Sequence, residues 1–165
     1  NEDTYKKGVP VKTQSFEREN PEIKQLSNAM QTMRRQLQLD SVYEYLLVDH
    51  KGLILEGTKT NVFFVQGGQV ITAEPHRVLG GITRQHVADL ARAQYDFEES
   101  AFAKINLTQA EAVFLTGTSI GILPVCRVDD ISFNSANNPV VLSLMKAYAT
   151  RENKYIETHQ LRNDQ

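Results

Sequence analysis

The stretch Tyr43–Thr72, YEYLLVDHKGLILEGTKTNVFFVQGGQVIT, decides how the chain is read. Four short apolar runs lie in it: Tyr43 to Val48, Leu53 to Leu55, Val62 to Val65, and Val70-Ile71. Each is strand-sized and bounded by turn residues. Lys51-Gly52 parts the first run from the second, and Gly67-Gly68 parts the last two by a two-residue hairpin signal. Taken in order, the four runs predict an antiparallel meander.

Upstream, Val9, Val11, Thr13 and Phe16 stand among polar neighbours and predict a strand over Val9 to Arg18. Asn20-Pro21 then starts a helix, with Asn20 as cap and Pro21 at the first helical position. Leu26, Met30, Met33 and Leu37 mark its apolar face, and it ends near Asp40. Downstream, Ala73 to Gly81 is a loop with Pro75 and Gly80-Gly81 in it. Thr83 to Tyr95 predicts a helix capped by Thr83, with Val87, Leu90 and Ala91 on one face. Phe97 to Ala103 reads as one strand, Leu107 to Ala110 as a helical turn, and Ala112 to Thr116 as a buried strand. Ile122 to Val128 is a further strand, and Pro124 within it implies an edge or a bulge. Asn137-Asn138-Pro139 opens a last helix on which Val141, Leu144, Met145 and Tyr148 share a face. The polar tail from Arg151 is expected to fray. With no repeat or linker, residues 1–165 read as a single α/β domain of mixed strand direction: a leader over about 1–23, a core over about 24–150 and a tail over 151–165.

Composition narrows the function. Of 165 residues, 41% are hydrophobic and 23% charged, which is globular. A net charge of −2 gives no electrostatic case for nucleic acid or an anionic membrane as partner. The lone Cys126 excludes an internal disulfide and any multi-cysteine metal site, and fits a reducing compartment. Apolar runs fall far short of the ~20 residues of a membrane span, and no signal peptide is visible. The expected location is cytoplasmic. Because Asn1 rather than Met comes first, a fragment of a longer protein is expected.

His50, His76, His86 and His159 have no metal-ligand spacing and read as surface histidines, so no metal is expected. Cys126 reads as a packed thiol. Three segments carry more chemistry. Leu79-Gly80-Gly81-Ile82-Thr83-Arg84 runs from two glycines into a helix start, where free N–H groups, the Thr83 hydroxyl and the helix dipole suit an anion. Its bland reading is a capped glycine loop. Thr116-Gly117-Thr118-Ser119 stacks hydroxyls at a strand end, a second anion seat or a plain polar turn. Glu56, ending an apolar strand, needs a partner if buried, either a cationic ring nitrogen or an ordinary Lys or Arg.

In this order the segments resemble the class IV aminotransferases, the fold-type-IV pyridoxal-phosphate enzymes. These include branched-chain aminotransferase, D-amino acid aminotransferase and aminodeoxychorismate lyase. The resemblance runs from about Glu22 to Asp129. It rests on Ile23-Lys24-Gln25-Leu26, on Tyr43-Glu44 with Asp49 and Gly52, and on Glu56-Gly57 with Asn61-Val62-Phe63. It continues through Leu79 to Arg84, Phe114 to Thr118, and Pro124-Val125 with Val128-Asp129.

The resemblance implies the C-terminal pseudo-barrel domain of the D-amino acid aminotransferase-like fold and the cofactor pyridoxal 5′-phosphate. It implies that Lys24 forms the Schiff base and moves the substrate α-proton. A free lysine has a pKa of about 10.4, and burial at a helix start would favour the neutral, nucleophilic amine. Glu56 matches the partner of the pyridine nitrogen, and Leu79 the apolar residue on one ring face. Ile82 and Thr83 match the phosphate-binding helix start. Thr118, with Ser119 beside it, matches the second phosphate seat, and Asn61 matches an Asn of the family signature. Implied substrates are an amino acid and a 2-oxo acid, and the implied assembly is a homodimer.

The chain also departs from the pattern. Ala29 stands where the branched-chain enzymes have a Tyr against the cofactor, Ser27 where D-amino acid enzymes have an Asn, and Thr72-Ala73 where Thr-Pro is usual. Thr83, often missing from the lyases, favours transamination. Only Asn1 to Ile23 precede Lys24, so the family's small N-terminal domain is absent from the chain, and the isolated chain is expected to hold the cofactor weakly or be inactive. Two alternatives stand beside the aminotransferase: lyase-type elimination on the same fold, and a non-catalytic fragment that binds a phosphorylated ligand or a partner chain.

Overall fold

The structure is a computed structural model that describes residues 1–16, 32–33 and 35–163. The chain runs through α1 (Glu2–Lys7), β1 (Val9–Ser15), β2 (Glu44–Val48), β3 (Leu53–Gly57), β4 (Asn61–Gln66) and β5 (Gln69–Thr72). It continues through α2 (Ile82–Gln94), β6 (Phe97–Glu99), β7 (Phe102–Ala103), β8 (Ala112–Gly117), β9 (Gly121–Val128), β10 (Ile131–Ser132) and α3 (Pro139–Asn163). Residues 35–40 are also helical, ending at Asp40 as expected. The rest of the helix expected from Asn20, Lys24 included, lies outside the described residues.

The strands form one sheet in the order β6-β5-β4-β8-β9-β1-β2-β3-β7, with β10 on β9. Pairings β1–β2, β1–β9 and β5–β6 are parallel and the others antiparallel. Gly67 and Gly68 take φ of 56° and 76°, and Gln66 faces Gln69 across the hairpin. Such a turn, with φ positive at both central residues, matches the strand twist.

The expected meander breaks between β3 and β4. β3 pairs with β2 and β7, whereas β4 pairs with β5 and β8. The cause is the intervening turn. The Gly57 N–H donates to the Thr60 carbonyl at 2.8 Å, and the buried Glu44 carboxylate gathers the turn from below. The chain is thereby redirected instead of folding back. The expected strand Phe97 to Ala103 likewise divides: β6 lies on β5 at one end of the sheet and β7 on β3 at the other. Ser100-Ala101 therefore spans the two edges, and the sheet curls into a half-barrel.

Pro124 is not at an edge, since β9 lies between β8 and β1. A bulge is present instead: Val9 faces Val125 while Pro10 faces Arg127. Thr83 is not the cap of α2. Gly81 holds that position with no side-chain hydrogen bond, and Thr83 sits inside the first turn. The tail does not fray at Arg151, because α3 stays helical to Asn163 although residues 151–159 are exposed. The last helix opens at Asn138-Pro139 as expected, and Asn138 caps it, its Oδ1 accepting from Val140 N and Val141 N at 3.0 and 3.3 Å.

Two cores explain the doubly apolar strands. Phe64, Val62, Leu115, Val113, Leu46 and Ile54 point into the barrel. Phe63, Val65, Phe114 and Ala112 point outward against Val87 and Ala91 of α2 and Val141, Leu144 and Tyr148 of α3. Phe63 stacks on Phe114 and Phe64 on Phe102, with centroids 5.1 and 4.2 Å apart. A strand buried on both faces reads as a continuous apolar run, and β4 does. Among the described residues, no helix is long and apolar enough to cross a membrane.

Candidate active site

The ends of β3, β4 and β8, the turn 58–60 and the start of α2 converge on one cleft of about 610 Å³. Its lining includes Glu56, Asn61, Leu79, Thr83 and Thr118 of the expected site residues. Ile82 contributes its place at the first turn of α2, while its side chain is 72% exposed. Ser119 lines a shallower hollow next door, with Tyr148 and Glu152. Lys24 lies outside the described residues.

Leu79 is held from both sides. Its N–H donates to Glu56 Oε2 at 3.0 Å, and its carbonyl accepts from Asn61 Nδ2 at 3.0 Å. Its side chain is left 73% exposed on the cleft wall. Asn61 thus holds the 79–81 loop across the cleft. The loop comes so close that a Cβ on Gly81 would lie 2.8 Å from Asn61 Oδ1. With glycine at the cap, no cap side chain bonds the open N–H groups of the first turn.

Two hydroxyls face this helix start. Thr83 is 3% exposed. Thr116, which faces Asn61 in the β4–β8 register, is 1% exposed. Its Oγ1 has no hydrogen-bond partner among the described residues. A buried hydroxyl without a partner costs about 1–3 kcal/mol, so this position fits a ligand oxygen. A half-buried carboxylate, an exposed apolar face and this oxygen-seeking end together match a flat ring with a cationic nitrogen at one side and an anionic group at the other.

The sequence model of the family described as Amino-transferase class IV matches residues 2–128. The chain belongs to the class IV aminotransferases. A relative named "Probable branched-chain-amino-acid aminotransferase" from Thermotoga maritima is 30% identical over 148 residues, which is 86% of this chain and 54% of the relative. A D-alanine aminotransferase from Bacillus licheniformis is 32% identical over 130 residues, 76% of this chain and 46% of its own length. The crystal structure of a T.th. branched-chain amino acid aminotransferase with pyridoxamine 5′-phosphate superposes with a TM-score of 0.78 at 28% identity, over 90% of this chain and 53% of that one. The chain thus spans about half the length of the relatives it matches.

Three residues at or beneath the cleft of this class IV chain, quoted in the sequence only within longer segments, gain a role of their own from the structure. Thr116 opens the segment read as a second anion seat, and burial of its partnerless hydroxyl sets it apart from Thr118 and Ser119. Glu44 is fully buried beneath the turn 58–60. It accepts from Thr60 Oγ1 at 2.6 Å, Thr58 Oγ1 at 3.1 Å and the Lys59 N–H. Burial raises its pKa above the ordinary carboxyl value, opposed by the hydrogen bonds from Thr60, Lys59 and Thr58. Arg84 is 2% exposed and lines the cleft, with Nη2 donating to the Ala73 carbonyl at 2.6 Å and to Glu99 Oε1 at 3.2 Å. Its signal was the charge itself, at a position the helix turns inward.

Proposed function

We propose that this chain is the cofactor-binding portion of an aminotransferase that uses pyridoxal 5′-phosphate to move an amino group between an amino acid and a 2-oxo acid. The observation that carries this is the single cleft in which Glu56, Leu79, the open start of α2 and the partnerless Thr116 hydroxyl meet. When bound, the cofactor supplies an aldehyde for the amine and a ring that withdraws electrons from the reacting carbon. Glu56 holds a proton on the ring nitrogen. Leu79 covers one ring face and keeps water from it. The N–H groups of Ile82 and Thr83 and the hydroxyls of Thr83, Thr116 and Thr118 bind the phosphate, assisted by the positive end of α2. Lys24, placed by resemblance, holds and moves the proton at the substrate α-carbon. The same resemblance supports a homodimer, and the single thiol suits a cytoplasmic setting.

The test is addition of pyridoxal phosphate to the chain, followed by its visible absorbance. A shifted band that Lys24→Ala abolishes is expected. No shift in the unaltered chain would overturn the reading. Amino transfer to 2-oxoglutarate is the expected reaction once the chain is joined to the N-terminal domain of the family, and pyruvate release from aminodeoxychorismate would assign the lyase instead.

A further inference from the structure

β3 ends at Gly57 and β4 begins at Asn61, yet the two strands do not pair. No ladder therefore sets the spacing of Glu56 and Asn61, although both hold Leu79, one at its N–H and the other at its carbonyl, each at 3.0 Å. The turn between them sets it, and that turn is built on Glu44. The fully buried Glu44 carboxyl accepts from Thr58 Oγ1 at 3.1 Å and from the Lys59 N–H through Oε1, and from Thr60 Oγ1 at 2.6 Å through Oε2. One side chain of β2 thus grips three consecutive residues of the turn. The β2 backbone adds to it, the Tyr45 carbonyl accepting from the Thr58 N–H at 3.1 Å. Gly57 makes room for the grip, since a Cβ there would lie 2.6 Å from Glu44 Oε1 and 2.5 Å from Thr60 Oγ1. On its other side the same turn lines the cleft.

We propose that Glu44 is a positioning residue for the ring end of the cleft, its carboxyl fixing the turn that sets Glu56 against Asn61 and so places Leu79 between them. The proposal rests on the reading of the cleft as a pyridoxal-phosphate site. Glu44 lies beneath the turn and acts through it. A carboxyl has two oxygens with lone pairs enough for three donors, so no second side chain is needed to fix the turn. Without it, a buried N–H and two hydroxyls must find other partners, and the turn shifts to reach them. The phosphate end is held otherwise. Thr116 pairs with Asn61 and Ile122 in the β8 ladders and Gly117 with Gly121, while the open N–H groups belong to α2. All three donors to Glu44 belong to the turn, so weakening them loosens the ring end and leaves the phosphate end in place.

The experiment measures dissociation constants of pyridoxal phosphate, of pyridoxal, which has the ring without the phosphate, and of inorganic phosphate, in the full chain and its variants. Thr60→Val keeps the side-chain volume and removes one of the bonds to Glu44. It should weaken pyridoxal phosphate and pyridoxal alike, by about three- to tenfold, and leave inorganic phosphate unchanged. Glu44→Leu should weaken both ring compounds further, whereas Glu44→Gln, which still accepts from the turn, should bind them as the unaltered chain does. If Glu44→Leu does not fold, Thr60→Val decides. In a Glu56→Ala background, Thr60→Val should weaken pyridoxal much less than it does in the unaltered chain, because the two act through one contact. Unchanged affinity for the ring compounds in Thr60→Val, an equal loss for inorganic phosphate, no rescue by Glu44→Gln, or additive losses in the double variant would each overturn the proposal. An unaltered chain that binds inorganic phosphate but neither ring compound would show that the ring end of the cleft itself is misread, and the proposal would fall with it.

Discussion

Thr116 separates a ligand seat from a structural hydroxyl. A buried hydroxyl kept for stability has a partner, and Thr116 Oγ1 has none among the described residues. Thr116→Val keeps the shape and removes the unpaired oxygen. The variant should melt at the same temperature or higher, with a gain of up to about 1 kcal/mol, yet bind pyridoxal phosphate about tenfold more weakly. Parallel losses of stability and affinity would make the hydroxyl structural. Gly81 tests the clasp on Leu79. A Cβ there meets Asn61 Oδ1 at 2.8 Å, so Gly81→Ala should cost about 1–3 kcal/mol of stability, as overpacking does. In an Asn61→Ala background the same substitution should cost much less, a difference that thermal melts of the four proteins would show. At this scale the sequence makes visible what sits at ends and turns: Glu56, Asn61, Leu79 and Thr118 flank a strand end or a glycine, and Thr83 follows Gly81 by two residues. The part played by Glu44 and the burial of the Thr116 hydroxyl are hidden, because each depends on neighbours distant in sequence.

At the scale of the element, signals within a few residues of their cause are readable and pairings between elements are not. Gly67-Gly68 and Asn138-Pro139 place a hairpin and a helix start because the turn and the cap are local. The helix α1 also has local signals: Asn1 Oδ1 accepts from Asp3 N at 3.2 Å, and Glu2–Lys6 and Asp3–Lys7 pair at 3.6 and 3.5 Å one turn apart. The break between β3 and β4 depends on a carboxylate from β2, and the division of 97–103 depends on two sheet edges meeting. No window along the chain contains either. The outer part of α3 has a different basis. After Pro139 no Gly or Pro interrupts it, and its polar residues are good helix formers. Since residues 151–159 are exposed, deletion of residues 153–165 should lower the melting temperature by no more than about 2 °C. A larger drop would show that this segment covers part of the core.

Across the whole molecule, two acids at opposite ends of β2 respond to pH in opposite directions. Asp49 follows β2. Its Oδ1 accepts from Lys51 N and Leu53 N at 2.9 Å each, and its Oδ2 from Arg77 Nη2 at 2.6 Å. Arg77 belongs to the loop after β5, so this pair ties the β1–β2–β3 side of the sheet to the β4–β5 side near the cleft. Burial works against the Asp49 charge, but the N–H groups of Leu53 and Lys51 and the Arg77 guanidinium outweigh it and hold the pKa below the ordinary 3.8. The stability from Asp49 is therefore present above pH 3.8 and is lost as pH falls through the folded value. Glu44 has the other sign. Its pKa is raised above 4.5, chiefly by burial. Its contribution is full below pH 4.5 and is lost as pH rises through its folded value, because the buried site holds the proton more tightly than the unfolded chain does. Urea denaturation across this range should thus show two separable slopes. Asp49→Asn should flatten the loss on the acid side, and Glu44→Gln, which retains an acceptor under Thr60 and Thr58, should flatten the loss on the alkaline side. If Glu44→Gln kept the full alkaline slope, the carboxylate under the turn would not be the group that titrates. The turn's redirection of the chain from β3 to β4 would then rest on the Gly57–Thr60 hydrogen bond alone.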